Sequence, residues 1–185
     1  MEEKFDINKT LTYVAFGFLL VLVNFNLNFP SFSINILPDW AGFILFLMAY
    51  DHSGTYVKGK EYLKWMLIAL TVLSGTGWLM SILNIAQGTK IISVCQNTLY
   101  AIYLLILFGI LEQIASDFHS SYAANIRILK YLNIGLTIAF VLFGILTVMN
   151  SSNSLAALTA VAGIAALVTA VITAVTLFKL REDVK

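Results

Sequence analysis

The side chains of this chain that could act chemically are mostly uncharged: Asn24, Asn35, Asn84, Gln96, Asn97, Tyr100 and Trp40, joined by two ions, Asp39 and Lys90. Ser74, Gly77, Ser81 and Asn84 follow one another at intervals of three, four and three, which on a helix puts them in one stripe. Ser93, Gln96, Asn97, Tyr100 and Tyr103 form a comparable stripe in the next apolar run. Amides, hydroxyls and aromatic rings bind a small solute by hydrogen bonding and stacking, so the chemistry on offer is recognition. The same groups can instead bond one another across helices, where such bonds average about 0.6 kcal/mol in a membrane. From residues alone both uses stay open.

Little here could break a covalent bond. An ionised group at a bilayer centre costs about 2.5–3.5 kcal/mol even on lenient scales, so intramembrane charges mark proton relays or catalytic groups. No Asp, Glu, Lys, Arg or His occurs between Tyr131 and Phe178, and neither a His-Glu-x-x-His nor a Gly-x-Ser-x-Gly motif is present. Glu112, Asp117 and His119, like Asp51 and His52, match no metal-ligand spacing and read as a solvated face. The single cysteine, Cys95, lies in an apolar run and reads as a packing residue. We therefore expect no enzyme, no metal and no cofactor. A net charge of +1 lacks the basic excess of a nucleic-acid binder.

The elements that must position these residues are set by hydropathy. With 59% hydrophobic and 11% charged side chains, the chain falls in the membrane class. Six apolar runs, at about 7–23, 38–53, 63–86, 91–111, 128–149 and 155–178, approach the roughly 17–25 residues that a spanning helix needs. The second is short, and the charges decide that it spans. Of the eleven Lys and Arg residues, all but Lys90 lie at the termini or in every second gap, which the positive-inside rule assigns to the cytoplasm. The expected fold is an all-α integral membrane protein, residues 1–185 forming one domain of six transmembrane helices with both termini cytoplasmic. No small-residue cleavage site follows the first run, so it is expected to be retained.

Between the first two runs, polar and apolar residues alternate on both sides of Pro30, from Asn24 to Leu37. Period two predicts strands, hence a short outer β-hairpin that seals the bundle or covers a cavity. Next come Leu37, Pro38, Asp39, Trp40, Ala41 and Gly42. Proline suits a first helical turn, Asp39 complements the helix dipole, and Trp40 suits the headgroup layer. In the inner segment, Ile114, Phe118, Tyr122 and Ile126 recur every fourth residue, which predicts helix four continuing or bending along the headgroups.

Residues 35–42 resemble a Leu-Pro-Asp-x-x-Gly signature found in a family of small multi-spanning bacterial membrane proteins without an assigned activity. That resemblance implies a bacterial cell membrane. In size, span number, orientation and long first outer loop, the chain also looks like the substrate-capturing S-components of energy-coupling-factor vitamin transporters, which implies a six-helix cup opened outward. The Ala-x-x-x-Ala docking motif of that family is missing, since the first run offers only Ala15 and Gly17 as small residues. Ala162, Ala166, Ala170 and Ala174 recur every fourth residue in the last run, a packing face for an internal neighbour or another subunit. The expected function is a non-catalytic small-solute binding or transport component, taking a neutral or aromatic small molecule amid membrane lipid. The alternative is an accessory or regulatory membrane subunit acting through helix–helix contacts.

Overall fold

The computed structural model describes residues 6–22, 26–28, 33–35, 39–83, 85–149 and 153–184. Six α-helices account for nearly all of them: α1 (Ile7–Leu22), α2 (Asp39–His52), α3 (Tyr62–Ile82), α4 (Ala86–Asp117), α5 (Ala123–Met149) and α6 (Asn153–Asp183). A 3-10 turn, Gly54–Val57, links α2 to α3. Between α1 and α2, Asn26–Asn28 (β1) pairs antiparallel with Ser33–Asn35 (β2), Leu27 lying opposite Ile34. Three residues a side make this a minor element, because an isolated two-stranded ladder has marginal stability of its own. The other residues of the expected hairpin lie outside those described.

Each helix packs on its neighbours in the chain, and α6 packs on α1, so the six close into a ring in sequence order. The backbone N–H of Asp6 donates to the carbonyl of His52 at 3.2 Å, tying the start of α1 to the end of α2. Aromatic rings fill the centre on the α1, α2 and α4 side. Phe18 meets Phe46 edge-on at 5.4 Å and Phe108 at 5.6 Å, and Phe46 meets Tyr103 at 5.5 Å. Phe18, Phe43, Phe46 and Phe108 are fully withdrawn from solvent. Helices α1 and α2 approach closely at Gly42, where a Cβ would sit 2.8 Å from the carbonyl oxygen of Gly17.

Outward-facing side chains are as apolar as those in the core. Val72, Leu79, Ile102, Leu142, Val161 and Ile164 are each about half exposed or more. A water-soluble chain does not carry apolar surface on that scale, since contiguous patches beyond a few hundred Å² mark a partner or a membrane. The hydroxyls of Thr71, Thr76, Thr98, Thr137, Thr169, Thr173 and Thr176 each donate to the carbonyl four residues earlier, which satisfies them without water. Four helices, α3 to α6, are long and apolar enough to cross a membrane. This is a membrane-embedded design. At 16 and 14 residues, α1 and α2 reach only about 24 and 21 Å, against a hydrocarbon core of about 30 Å.

Helix limits differ from the apolar runs in a consistent way. At the end that bears the termini, α4 continues to Asp117 and α6 to Asp183, past the runs ending at 111 and 178. Ile114, Ala115 and Leu180 keep those extensions buried against the bundle, so helix persists where apolarity fades. The four-residue recurrence from Ile114 to Ile126 is not one helical face. Helix α4 stops in a Schellman turn: the N–H of Ser120 donates to Ala115 and that of His119 to Ser116, with His119 in the left-handed region at φ 52°. Phe118 is exposed, whereas Ile114 and Ile126 are buried on different helices.

Candidate functional site

The polar groups of interest converge between the start of α2 and the third and fourth turns of α4, in the half of the bundle away from the termini. On α2, Asp39, Gly42, Phe43 and Phe46 share one face by their three- and four-residue spacing. Because Gly42 is pressed on α1 and Phe43 and Phe46 fill the core, Asp39 turns into the bundle. On α4, Gln96, Tyr100 and Tyr103 occupy the matching face. The Nε2 of Gln96 donates to Oδ2 of Asp39 at 3.2 Å. One turn deeper, Phe43 meets Tyr100 edge-on at 5.5 Å, and Tyr100 stacks on Tyr103 at 6.4 Å. Trp40 meets Trp78 of α3 edge-on at 6.4 Å, giving the site an aromatic flank.

Two atoms here lack partners. Oδ1 of Asp39 and the hydroxyl of Tyr100 are withdrawn from solvent and make no hydrogen bond among the described residues. Tyr100 is 5% exposed. A buried polar atom left unsatisfied costs about 1–3 kcal/mol, and more if charged, so each such atom calls for an explanation. Depth adds a second feature. Gln96 lies ten residues into α4, about 15 Å along the axis from its first residue. Asp39 is therefore level with the third turn of α4 rather than with its start, and β2 lies against α3.

Of the residues expected at an outer cavity, Asp39, Trp40, Gln96 and Tyr100 come together here. Asn24 and Asn84 lie outside the described residues, as do the side chains of Asn35 and Lys90. Asn35 contributes its backbone to the ladder opposite Asn26, and Lys90 lies in the second turn of α4. Asn97 does not join. Its Nδ2 reaches back along α4 to Oγ of Ser93 at 3.5 Å, about 100° around the helix from Gln96. The two polar stripes are thus divided: Ser74 is buried, whereas Ser81 and Ser93 are exposed. Gly77 takes the side chain of Ile92, where a Cβ would lie at 3.3 Å.

Other groups settle elsewhere. Glu112 pairs with Arg127 at 2.6 Å and Lys130 at 3.7 Å, and Asp117 accepts from Tyr56. Burial, with the Asp117 carboxylate second, raises the Tyr56 hydroxyl above its ordinary value. Ala166, Ala170 and Ala174 are buried within this chain and Ala162 is half-buried, so α6 uses that face inside the bundle. At the termini end lies a cavity of about 30 Å³, lined by Val14, Phe46, Ala49, Ser53, Leu67 and Leu107 among others. It has room for water but not for an organic solute.

Sequence reasoning missed the α5–α6 contact, in which Nδ2 of buried Asn133 donates to Oγ1 of Thr173 at 3.1 Å. The four-residue spacings Asn133–Thr137 and Thr169–Thr173 were its available signal. Compared with protein-family models, curated proteins and solved structures, the chain matches none.

Proposed function

We propose that this chain is a non-catalytic membrane component that captures a small solute in a recess at its outer end. The observation that carries this is the unpartnered pair, Oδ1 of Asp39 and the Tyr100 hydroxyl, set beside the Asp39–Gln96 bond. A solute with one donor and one acceptor would complete both, and the Trp40–Trp78 flank favours a flat or aromatic one. In this reading all six helices span, α1 and α2 meeting a locally thin outer leaflet and β1–β2 lying above them as a lid. The chain sits in a bacterial cell membrane, with the end rich in Lys and Arg in the cytoplasm. The Leu-Pro-Asp-x-x-Gly resemblance fits this use, because Gly42 admits the α1 contact and Asp39 is turned inward.

The alternative, an accessory subunit docking through the alanine face of α6, has less support, since Ala166, Ala170 and Ala174 are covered within the chain. The test is native mass spectrometry of protein purified in mild detergent. Wild type should retain a small molecule that both Asp39→Asn and Tyr100→Phe lose while still eluting as folded protein. Retention unchanged in both variants, or a bare chain in every preparation, would leave a buried water as the partner of these atoms and remove the reading.

A further inference from the structure

At the opposite end, between α1 and α6, one cation keeps a buried donor without an acceptor among the described residues. Lys9 pairs with Asp6 at 3.4 Å, Lys64 with Asp51 at 3.8 Å, and Arg127 and Lys130 share Glu112. Lys179 lies 5.9 Å from the centre of the Tyr122 ring. Arg181 has no ion-pair partner among the described residues. Its Nη1 donates to Oγ1 of Thr12 on α1 at 3.1 Å, and its guanidinium lies 5.7 Å from the centre of the Phe178 ring. Its Nε is buried and makes no hydrogen bond among the described residues. A buried charged donor without an acceptor is costly, and a planar guanidinium that has spent Nη1 still presents the Nε–Nη2 edge as a fork. That fork suits two oxygens of one phosphate.

The surroundings say what carries the phosphate. Directly along the groove, the Phe16 ring of α1 meets Phe178 edge-on at 5.5 Å, and Phe16 and Val175 are 47% and 46% exposed. The cation therefore stands at the head of an apolar strip facing the lipid, near the last turn of α6 and on the end rich in Lys and Arg. We infer that the α1–α6 groove is a binding site for an anionic phospholipid, with its headgroup phosphate on the Arg181 fork and an acyl chain along Phe16, Phe178 and Val175. The bond to Thr12 anchors Nη1, and a turn of the guanidinium about that anchor uncovers Nε for the phosphate. The site is independent of the recess around Asp39, which lies at the other end of the bundle.

The experiment reconstitutes the full chain into nanodiscs of mixed phosphatidylglycerol and phosphatidylcholine, followed by gentle extraction and mass spectrometry of the lipid that stays bound. Wild type should retain phosphatidylglycerol with an enrichment of about fivefold, the scale of one basic residue acting on an anionic headgroup. Arg181→Gln should bring the ratio back to that of the bulk lipid, while Lys58→Gln should leave it enriched. Should Arg181→Gln not fold, Arg181→Lys carries the test, because it keeps the charge but lacks the fork, and enrichment must still fall. Equal loss in Lys58→Gln, or unchanged enrichment in both Arg181 variants, would overturn the site. Displacement of the lipid by millimolar glycerol phosphate would overturn the lipid assignment in favour of a free phosphate.

Discussion

Replacing Gly42 by alanine tests how the bundle positions its recess. The new Cβ would lie 2.8 Å from the carbonyl oxygen of Gly17, 2.5 Å from Cγ2 of Val21 and 3.0 Å from the Val21 nitrogen. Two of these three atoms are backbone, so no side-chain rotation relieves the contact. A carbon and a carbonyl oxygen settle at about 3.3–3.6 Å, which requires α1 and α2 to separate by about 0.5 Å or more. Overpacking of this kind costs about 1–3 kcal/mol, and the better helix propensity of alanine returns at most about 1 kcal/mol, so the loss is about 1–3 kcal/mol against a Gly→Ala change that meets no obstruction. For a chain of this length that places the midpoint of thermal unfolding about 2–12 °C below that of such an unobstructed variant, at about 2–4 °C per kcal/mol.

Function should suffer beyond stability. If α2 gives way, Asp39 moves with it, and its 3.2 Å bond to Gln96 lengthens beyond hydrogen-bonding distance. The assay is thermal unfolding in detergent followed by size-exclusion chromatography, with retained small molecule measured on the same fractions. Gly75→Ala is the control, because nothing lies within 4 Å of a Cβ there, and it should melt at or above the wild-type temperature. A Gly42→Ala protein as stable as Gly75→Ala would refute the close α1–α2 approach and the placement of Asp39 argued from it.

Two further outcomes concern the cap of α1 and the orientation of the chain. The carboxylate of Asp6 accepts from the Lys9 N–H at 3.1 Å, capping α1, and that hydrogen bond holds its carboxyl below the ordinary value of 3.8. Asp6→Ala should cost about 0.5–2 kcal/mol at neutral pH. Since the folded-state value is depressed, the deficit should persist above the ordinary carboxylate range and vanish as pH falls below it; a deficit independent of pH in acid melts would rule out the cap. In a Cys95→Ser background, a cysteine at Glu182 should resist membrane-impermeant maleimide in intact cells, whereas one at Ser31 should react. The reverse pattern would invert the proposed topology.

How far the residues alone carry this protein differs from element to element. That α3 to α6 are membrane-length helices follows from run length, because an apolar segment in lipid must satisfy its backbone internally. Their limits do not follow: α4 runs to Asp117 because Ile114 and Ala115 find burial beyond the apolar run, and it stops where His119 enters a left-handed turn. At the site, Asp39, Trp40, Gln96 and Tyr100 could be nominated from their types and spacing. That Asn97, one residue from Gln96, turns back to Ser93 could not. Trp78 and Arg181 had no distinguishing pattern before their partners were known, and Asn133 had only its four-residue spacing to Thr137.

The linear order of residues determined the membrane class, the number of helices and the division of charge between the two ends, because transfer from water to lipid is a property of each segment by itself. Only the tertiary structure decided the ring that closes α6 on α1, the inward turn of Asp39 and the solitary position of Arg181. Lipid and core are equally apolar, so a helix between them carries no hydropathy contrast to say which face points inward. That choice is made by shape, at contacts such as Gly42 on Gly17 and Phe18 on Phe108, between residues far apart in the chain.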